Sequence, residues 1–368
     1  MTHPERRTTT TSWHDQLPII DLSAADRGRQ ARTLLHAQLH SAAHDIGFFQ
    51  LVGHGVPRAE RAALLTAVRA FFALPEADRL ALDSAGSPHF RGYSRTGDEH
   101  TPGAHGRRDR LDLGAERPAR APGPGEPAYW WLEGPNQWPA ALPELRTAAL
   151  AWLDRLSGVA RRLLHELLTA VGAPADFYDP LFGDRAHPRL SLVRHLGTAS
   201  TGTASLGTAS TGIASPGVTG RDGAGPGVSA GPSKDRGFLT LQLHAHGTAE
   251  RRHAAPLPDD AFLVNLGARL EAATGGYLIA ADHRAAAPPG TAERYSVPFF
   301  ANPRLDAPVP PLPFPYAPYA PYAAEAPDST GDPAAPPYAA YGHHELKGEL
   351  RAHPLVARRH HRDLPAPA

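Results

Sequence analysis

Three short segments in the second half of the chain hold residue types that could bind a metal and a carboxylate together. They are Lys234-Asp235-Arg236-Gly237-Phe238-Leu239-Thr240-Leu241, Asp282-His283-Arg284 and Arg294-Tyr295-Ser296-Val297-Pro298. Asp235 offers an anionic oxygen and His283 a neutral nitrogen, a pair suited to iron(II). Arg294 and Ser296 stand two apart, so on a strand they share a face. A guanidinium fork beside a hydroxyl fits a carboxylate. Taken singly, each match is ordinary. An Asp ahead of a strand is most often a turn or cap residue, and a His at a strand end is most often a surface or core residue. Their order along the chain gives them weight. The chain has no cysteine, which excludes thiolate ligands, disulfides and a Cys nucleophile. No H-E-x-x-H pair and no G-x-x-x-x-G-K-[ST] loop occurs. The literal His361-Arg362-Asp363 near the C-terminus reads as solvated charge, and His14, His54 and His165 as surface or packing residues.

The elements that must carry these residues can be read from periodicity. Pro18 to Leu22 is β-like. A helix is expected over about 24–45, with Leu35, Leu39, Ala42 and Ile46 on its buried face. Gly47 to Val52 is strand-like, and Pro57 opens a second helix with Leu64, Val68, Phe71 and Phe72 on one side. Residues 83–127 are polar and rich in Gly and Pro, so they read mostly as loop. The strongest helix runs from Pro143 to about Val171, with Gly172 as its stop. Strand signals then follow at 189–194, 238–243, 261–266, 277–283 and 295–300, with a turn at Gly275-Gly276. A helix near 343–352 and a basic His/Arg tail close the chain. Between the first two of these strands, LGTASTGTAS at 196–205 is followed by LGTASTGIAS at 206–215, and Gly/Ser/Pro-rich sequence continues to Pro232. Such a segment has little to bury, so 196–232 is expected to be a flexible insert.

Composition sets outer bounds. The chain has 368 residues and balanced charge, with Lys+Arg 37 and Asp+Glu 37. That balance gives no electrostatic footprint for nucleic acid or an anionic membrane. No run is apolar enough for a transmembrane helix. The polar stretch from Met1 to Ser12 lacks the apolar region of a secretory signal, so a cytoplasmic protein is expected.

Taken together, these segments resemble the isopenicillin N synthase-like non-haem iron oxygenases, most of which use 2-oxoglutarate. The resemblance runs through Pro18-Ile19-Ile20-Asp21, Gly47-Phe48-Phe49 to Val56, Phe90-Arg91-Gly92-Tyr93 and Gly134-Pro135-Asn136-Gln137-Trp138-Pro139. It continues through Asp235 to Leu241, Val264 to Gly267, His283-Arg284 and Arg294 to Phe300. It implies a mainly β fold, a double-stranded β-helix or jelly roll, with N-terminal helices packed outside. It implies a tail at 1–15, an N-terminal region at 16–140, an oxygenase core at 141–310 interrupted by the insert, and a Pro-rich C-terminal region at 311–368.

The implied activity is hydroxylation, desaturation or oxidative cyclisation of a small molecule by O2, with Fe(II) and 2-oxoglutarate, in a monomer. Asp235 and His283 match two of the family's metal ligands. Arg294 and Ser296 match its cosubstrate-carboxylate pair, and His195 stands where the family often has Tyr. The N-terminal helices and residues 83–127 would cover the substrate. Ser233 stands where the family has its first metal His. A hydroxyl is a poorer neutral ligand than imidazole, which leaves a weakened or inactive member as the alternative. Alternation from Asp235 along the strand places His244 and His246 on the opposite face, away from the metal, unless a bulge at Gly237 brings one of them round.

Overall fold

The computed structural model describes residues 17–95, 108–196, 234–245, 260–282, 293–313 and 340–364. Ser233, His246, His283, His14 and the insert beyond Leu196 lie outside the described residues.

The long amphipathic pattern forms α4 (Pro143–Ala170), with Pro143 in its first turn, where its missing N–H costs nothing. Its stripe of Leu145, Ala149, Trp152, Leu156, Leu163 and Leu167 is buried. Helices α1 (Arg29–Ser41) and α2 (Arg58–Ala73) pack against it. Arg32 and His36 of α1 hold Glu166 of α4 at 2.7 Å each. The expected single helix over 24–45 is broken. A 3-10 turn covers Leu22–Asp26, then α1 follows, then a wider turn over Ala42–Ile46. Gly47 ends it at φ 79°, where a Cβ would lie 2.3 Å from the Ile279 carbonyl oxygen, so only glycine fits. A short helix, α3, spans Glu76–Leu80.

Among the described residues, eight strands form one sheet. They are β1 (Ile19–Asp21), β2 (Phe48–Val52), β3 (Gly92–Arg95), β4 (Arg108–Gly114), β5 (Arg189–His195), β6 (Leu239–Ala245), β7 (Phe262–Leu266) and β8 (Arg294–Ala301). Their order is β1-β2-β7-β6-β8-β5-β4-β3, antiparallel throughout except for β1 with β2. Four of the eight precede residue 141, so the N-terminal region and the core share one sheet.

Residues directly opposite in the register point to the same side. Leu241 faces Val264 and Phe299, Leu239 faces Leu266, and Leu111 faces Leu192. All are buried, and this side packs on α4. The other side carries Gln50, Asn265, Thr240, Ser296, His195 and Arg108.

Three sequence expectations need correction. The polar stretch 83–127 is largely loop in its described part, but it also contributes β3 and β4 to the sheet, which the sequence reading did not indicate. Tyr277 to Asp282 is not a strand. Its N–H groups go elsewhere: Leu278 to Thr274 Oγ1, Ile279 to the Ala43 carbonyl and Ala280 to Glu271 Oε1. The C-terminal region is also no mere tail. Following α5 (Ala268–Ala273), helices α6 (Tyr341–Ala352) and α7 (Pro354–His360) are integral to the fold. His361 is buried, stacks on Phe90 at 5.1 Å and bonds the Pro88 carbonyl at 2.9 Å. It is packed, not solvated, because the aromatic residues of the 90 region and Trp131 build a pocket for it.

Leu156 is fully buried between α4 and the core. Leu156→Ala should cost about 2–5 kcal/mol in stability, read as a lower urea midpoint at unchanged slope. A loss under about 1 kcal/mol would mean that the α4 interface is loosely packed.

Candidate active site on the polar sheet face

Asp235 lies four residues ahead of β6, not on the strand. Its chain is fixed where its carbonyl accepts the Ala268 N–H at 2.7 Å, and where the Gly237 carbonyl accepts the Arg269 N–H at 3.2 Å. Its carboxylate turns onto the polar face. Thr240 Oγ1 donates to Oδ2 at 2.5 Å and Asn265 Nδ2 donates to the same oxygen at 2.6 Å. Thr240 and Asn265 are themselves cross-strand partners, and both are buried. A carboxylate oriented by two neutral donors keeps its negative charge available to a hard divalent cation. Among the described residues no group of three His, Cys, Asp or Glu is placed to hold a metal. Asp235 is the described member of the expected set.

The placement of Asp235 also corrects the alternation argument from the sequence, which ran the β-strand period back through residues that are not in the strand. The register sets position 244 opposite Ser296, four residues along β6 from Thr240. Four strand residues span roughly 13 Å. That separation, rather than the face, sets position 244 apart from the Asp235 carboxylate.

Further along the same face, three residues stand side by side on three strands. Arg108 of β4 is opposite His195 of β5, which is opposite Arg294 of β8. His195 Nε2 lies 2.9 Å from Ser296 Oγ. Burial, then the nearby cations Arg294 and Arg108, push the His195 pKa down from 6.5 to about 4. The imidazole is therefore neutral at physiological pH and serves as a hydrogen-bonding group. The structure thus brings Arg294, Ser296 and His195 together and adds Arg108, which the sequence reading missed. Its signal was present: Arg108-Asp109-Arg110-Leu111-Asp112-Leu113 alternates, but with charges where a strand pattern usually shows polar neutral residues.

His54 and His165 have structural roles. His54 Nε2 bonds the Asp260 carbonyl at 2.7 Å and the ring packs on Phe262. His165 pairs with Asp179 at 2.6 Å. The N-terminal helices do not cover the polar face. They lie with α4 on the apolar side, where Phe71 meets Tyr93 and Phe72 meets Tyr295. The expectation that they cover the substrate is therefore corrected: the apolar stripes of α1 and α2 demand an apolar partner.

Comparison with known proteins gives consistent matches. Residues 17–141 match the family described as non-haem dioxygenase in morphine synthesis, N-terminal, and residues 223–303 match the 2OG-Fe(II) oxygenase superfamily. A 2-oxoglutarate-dependent dioxygenase, frbJ, of Dothideomycetidae sp. (strain 11243) is 30% identical over 302 residues, covering 80% of this chain and 76% of that protein. Validamycin A dioxygenase of Streptomyces hygroscopicus subsp. limoneus is 30% identical over 315 residues, covering 80% of this chain and 79% of its own. Among solved structures, a 2OG-Fe(II) oxygenase family protein from Caulobacter crescentus superposes with a TM-score of 0.64 at 22% identity, covering 92% of this chain and 99% of that one. The dioxygenase for auxin oxidation in rice gives a TM-score of 0.54 at 21% identity, covering 80% and 86%. The likeness to these two is one of fold, a jelly-roll core with helices outside.

The depressed His195 pKa makes stability pH-dependent. Below pH 6.5 the unfolded chain takes up a proton that the folded chain refuses until about pH 4. Stability from this group is therefore present above pH 6.5 and lost as pH falls toward 4, by at most about 3 kcal/mol. His195→Gln should flatten that part of the profile, measured as urea midpoints at pH 7 and pH 4.5. Equal pH dependence in both proteins would show that His195 titrates normally.

Proposed function

The chain belongs to the 2OG-Fe(II) oxygenase superfamily, and on that premise we propose that Asp235 marks the metal end of the polar face and Arg294, Ser296 and His195 the cosubstrate end. The protein is an iron(II)- and 2-oxoglutarate-dependent oxidoreductase that acts on a small molecule. No feature of the fold or of the relatives favours the inactive alternative. When bound, iron(II) with 2-oxoglutarate supplies O2 activation coupled to oxidative decarboxylation of the cosubstrate.

One observation carries the site assignment. An oriented carboxylate and a guanidinium–hydroxyl–imidazole group lie on one sheet face, separated along β6 by a few strand residues. A metal and an extended dicarboxylate in series would bridge such a gap. Arg294 would take the far carboxylate through its fork. With Nε2 protonated, the neutral His195 donates to Ser296 Oγ, which leaves the serine proton to be donated to that carboxylate. His195 thus does, from the neighbouring strand, the orienting work expected of a tyrosine there. Asp235 would supply the anionic ligand and His283 a nitrogen. Ser233 would hold the remaining protein position weakly, with water completing it. The chemistry that the metal and cosubstrate supply would lead to hydroxylation, desaturation or ring closure of the substrate.

Arg294→Gln should raise the half-saturating 2-oxoglutarate concentration about 10- to 100-fold, as expected for a lost charged hydrogen bond, and Ser296→Ala should raise it less. Succinate release at saturating iron measures both. Asp235→Asn should abolish Fe(II)-dependent succinate release, and Ser233→His should lower the iron needed for half-saturation. An unchanged 2-oxoglutarate requirement in Arg294→Gln would overturn the cosubstrate assignment.

A further inference from the structure

The residues on either side of Asp235 are both tied down by acids from other helices. Lys234 Nζ lies 2.6 Å from Glu271 Oε2 of α5. Arg236 reaches the other way, with Nε 3.2 Å from Glu345 Oε2 and Nη2 on Glu349 Oε1, both on α6. Glu345 and Glu349 are each only 2% exposed, and Arg189 of β5 closes the cluster, 3.0 Å from Glu345 and in contact with Glu349. Tyr341 Oη donates to Glu345 Oε2 at 2.8 Å. The surrounding cations hold both glutamates ionised in spite of their burial, Glu345 down to about 2.

The fit of α6 against Arg236 is close. Gly348 lies between Glu345 and Glu349, and a Cβ there would sit 2.4 Å from the Arg236 guanidinium. Arg236 is therefore held in one place from three directions. It is bonded to the residue whose carboxylate must point at Thr240 and Asn265. With Lys234 and Arg236 both clamped, and the Asp235 carbonyl held by Ala268, the Cα–Cβ direction of Asp235 has little freedom left.

We propose that Arg236 is a positioning residue for Asp235. Clamped by Glu345 and Glu349, it aims the carboxylate, so the docking of the C-terminal helix α6 sets how tightly the site holds its divalent cation. This rests on Asp235 being a metal ligand. A partner of this kind, one step removed from the metal, typically contributes 10- to 100-fold in metal affinity.

The test is Mn(II) titration of the full chain, free of other metals and under anaerobic conditions, followed by the EPR signal of unbound Mn(II). The parent, Gly348→Ala, Arg236→Gln, Arg236→Lys and Asp235→Asn are compared. Gly348→Ala is the sharpest probe. It keeps every charge and replaces a helical glycine by a better helix former, but its Cβ displaces the clamped Arg236 guanidinium. It should weaken Mn(II) about 10-fold, with a lower thermal midpoint because the buried ion cluster is disturbed. Arg236→Gln should weaken Mn(II) at least as much, with Arg236→Lys between it and the parent. The half-saturating 2-oxoglutarate concentration at saturating metal should stay unchanged, because Arg294 and Ser296 are not touched. Unchanged Mn(II) affinity in Gly348→Ala and Arg236→Gln, with affinity lost in Asp235→Asn, would overturn the proposal and leave the metal assignment standing. Retained Mn(II) affinity in Asp235→Asn would overturn the metal assignment itself, and this inference with it. If Arg236→Gln fails to fold, Gly348→Ala and Arg236→Lys decide.

Discussion

Side chains on a β-strand must alternate between its two faces, and here eight strands in register turn that local rule into a division of labour. Most of the leucines, valines and phenylalanines of β5 to β8 fall on one side and bury against α4. The other side carries Gln50, Asn265, Thr240, Ser296, His195 and Arg108, with Val193, Leu263 and Phe300 among them. A one-residue slip anywhere would exchange the sets. The apolar face therefore does more than stabilise the fold. Because leucine cannot be turned toward the polar side without loss, it fixes which way Arg294 and Ser296 point.

Much of this was legible in the sequence because apolar periodicity is a strong signal where one face is fully buried. Helix α4 and strands β5, β6, β7 and β8 lie within a residue or two of their expected limits. The pairing of Arg294 with Ser296 on one face followed from spacing alone. Strand β4 was not legible, since its inward positions are Arg108, Arg110 and Asp112, charges that usually mark a solvated loop. Tyr277 to Asp282 misled in the other direction. It is apolar because it packs, yet its N–H groups are taken by the end of α5 and by Ala43 instead of by a neighbouring strand. The carboxylate of Asp235 was misplaced for a simpler reason: a period of two cannot be extended through a turn.

The helix at Tyr341–Ala352 was legible as a helix, but its burial was not. Nothing in Tyr341 to Ala352 announces that Glu345 and Glu349 will be buried, because glutamates four apart on a helix normally form a wet face. Their partners, Arg189 and Arg236, are more than a hundred residues away in sequence. Only the folded chain reveals that they meet. Once met, they are hard to separate. Removing one member of a buried ion cluster leaves the others uncompensated, at a cost of about 3–5 kcal/mol. The cluster extends to Arg91, fully enclosed beside Arg189, whose pKa burial lowers to about 10.

That arrangement has a consequence for how the protein is made. Synthesis runs from the N-terminus at about 5–20 residues per second. Arg91, Arg189 and Arg236 all leave the ribosome well before the acids that will neutralise them. Until residues 345 and 349 have emerged, the growing chain holds arginines that cannot be enclosed without unpaired charge. These arginines must then stay open to water even after the leucine side of the sheet has collapsed on α4. Their enclosure thus waits for residues 345 and 349 to be made, and a nascent chain released before then would carry a formed sheet with those charges still in water.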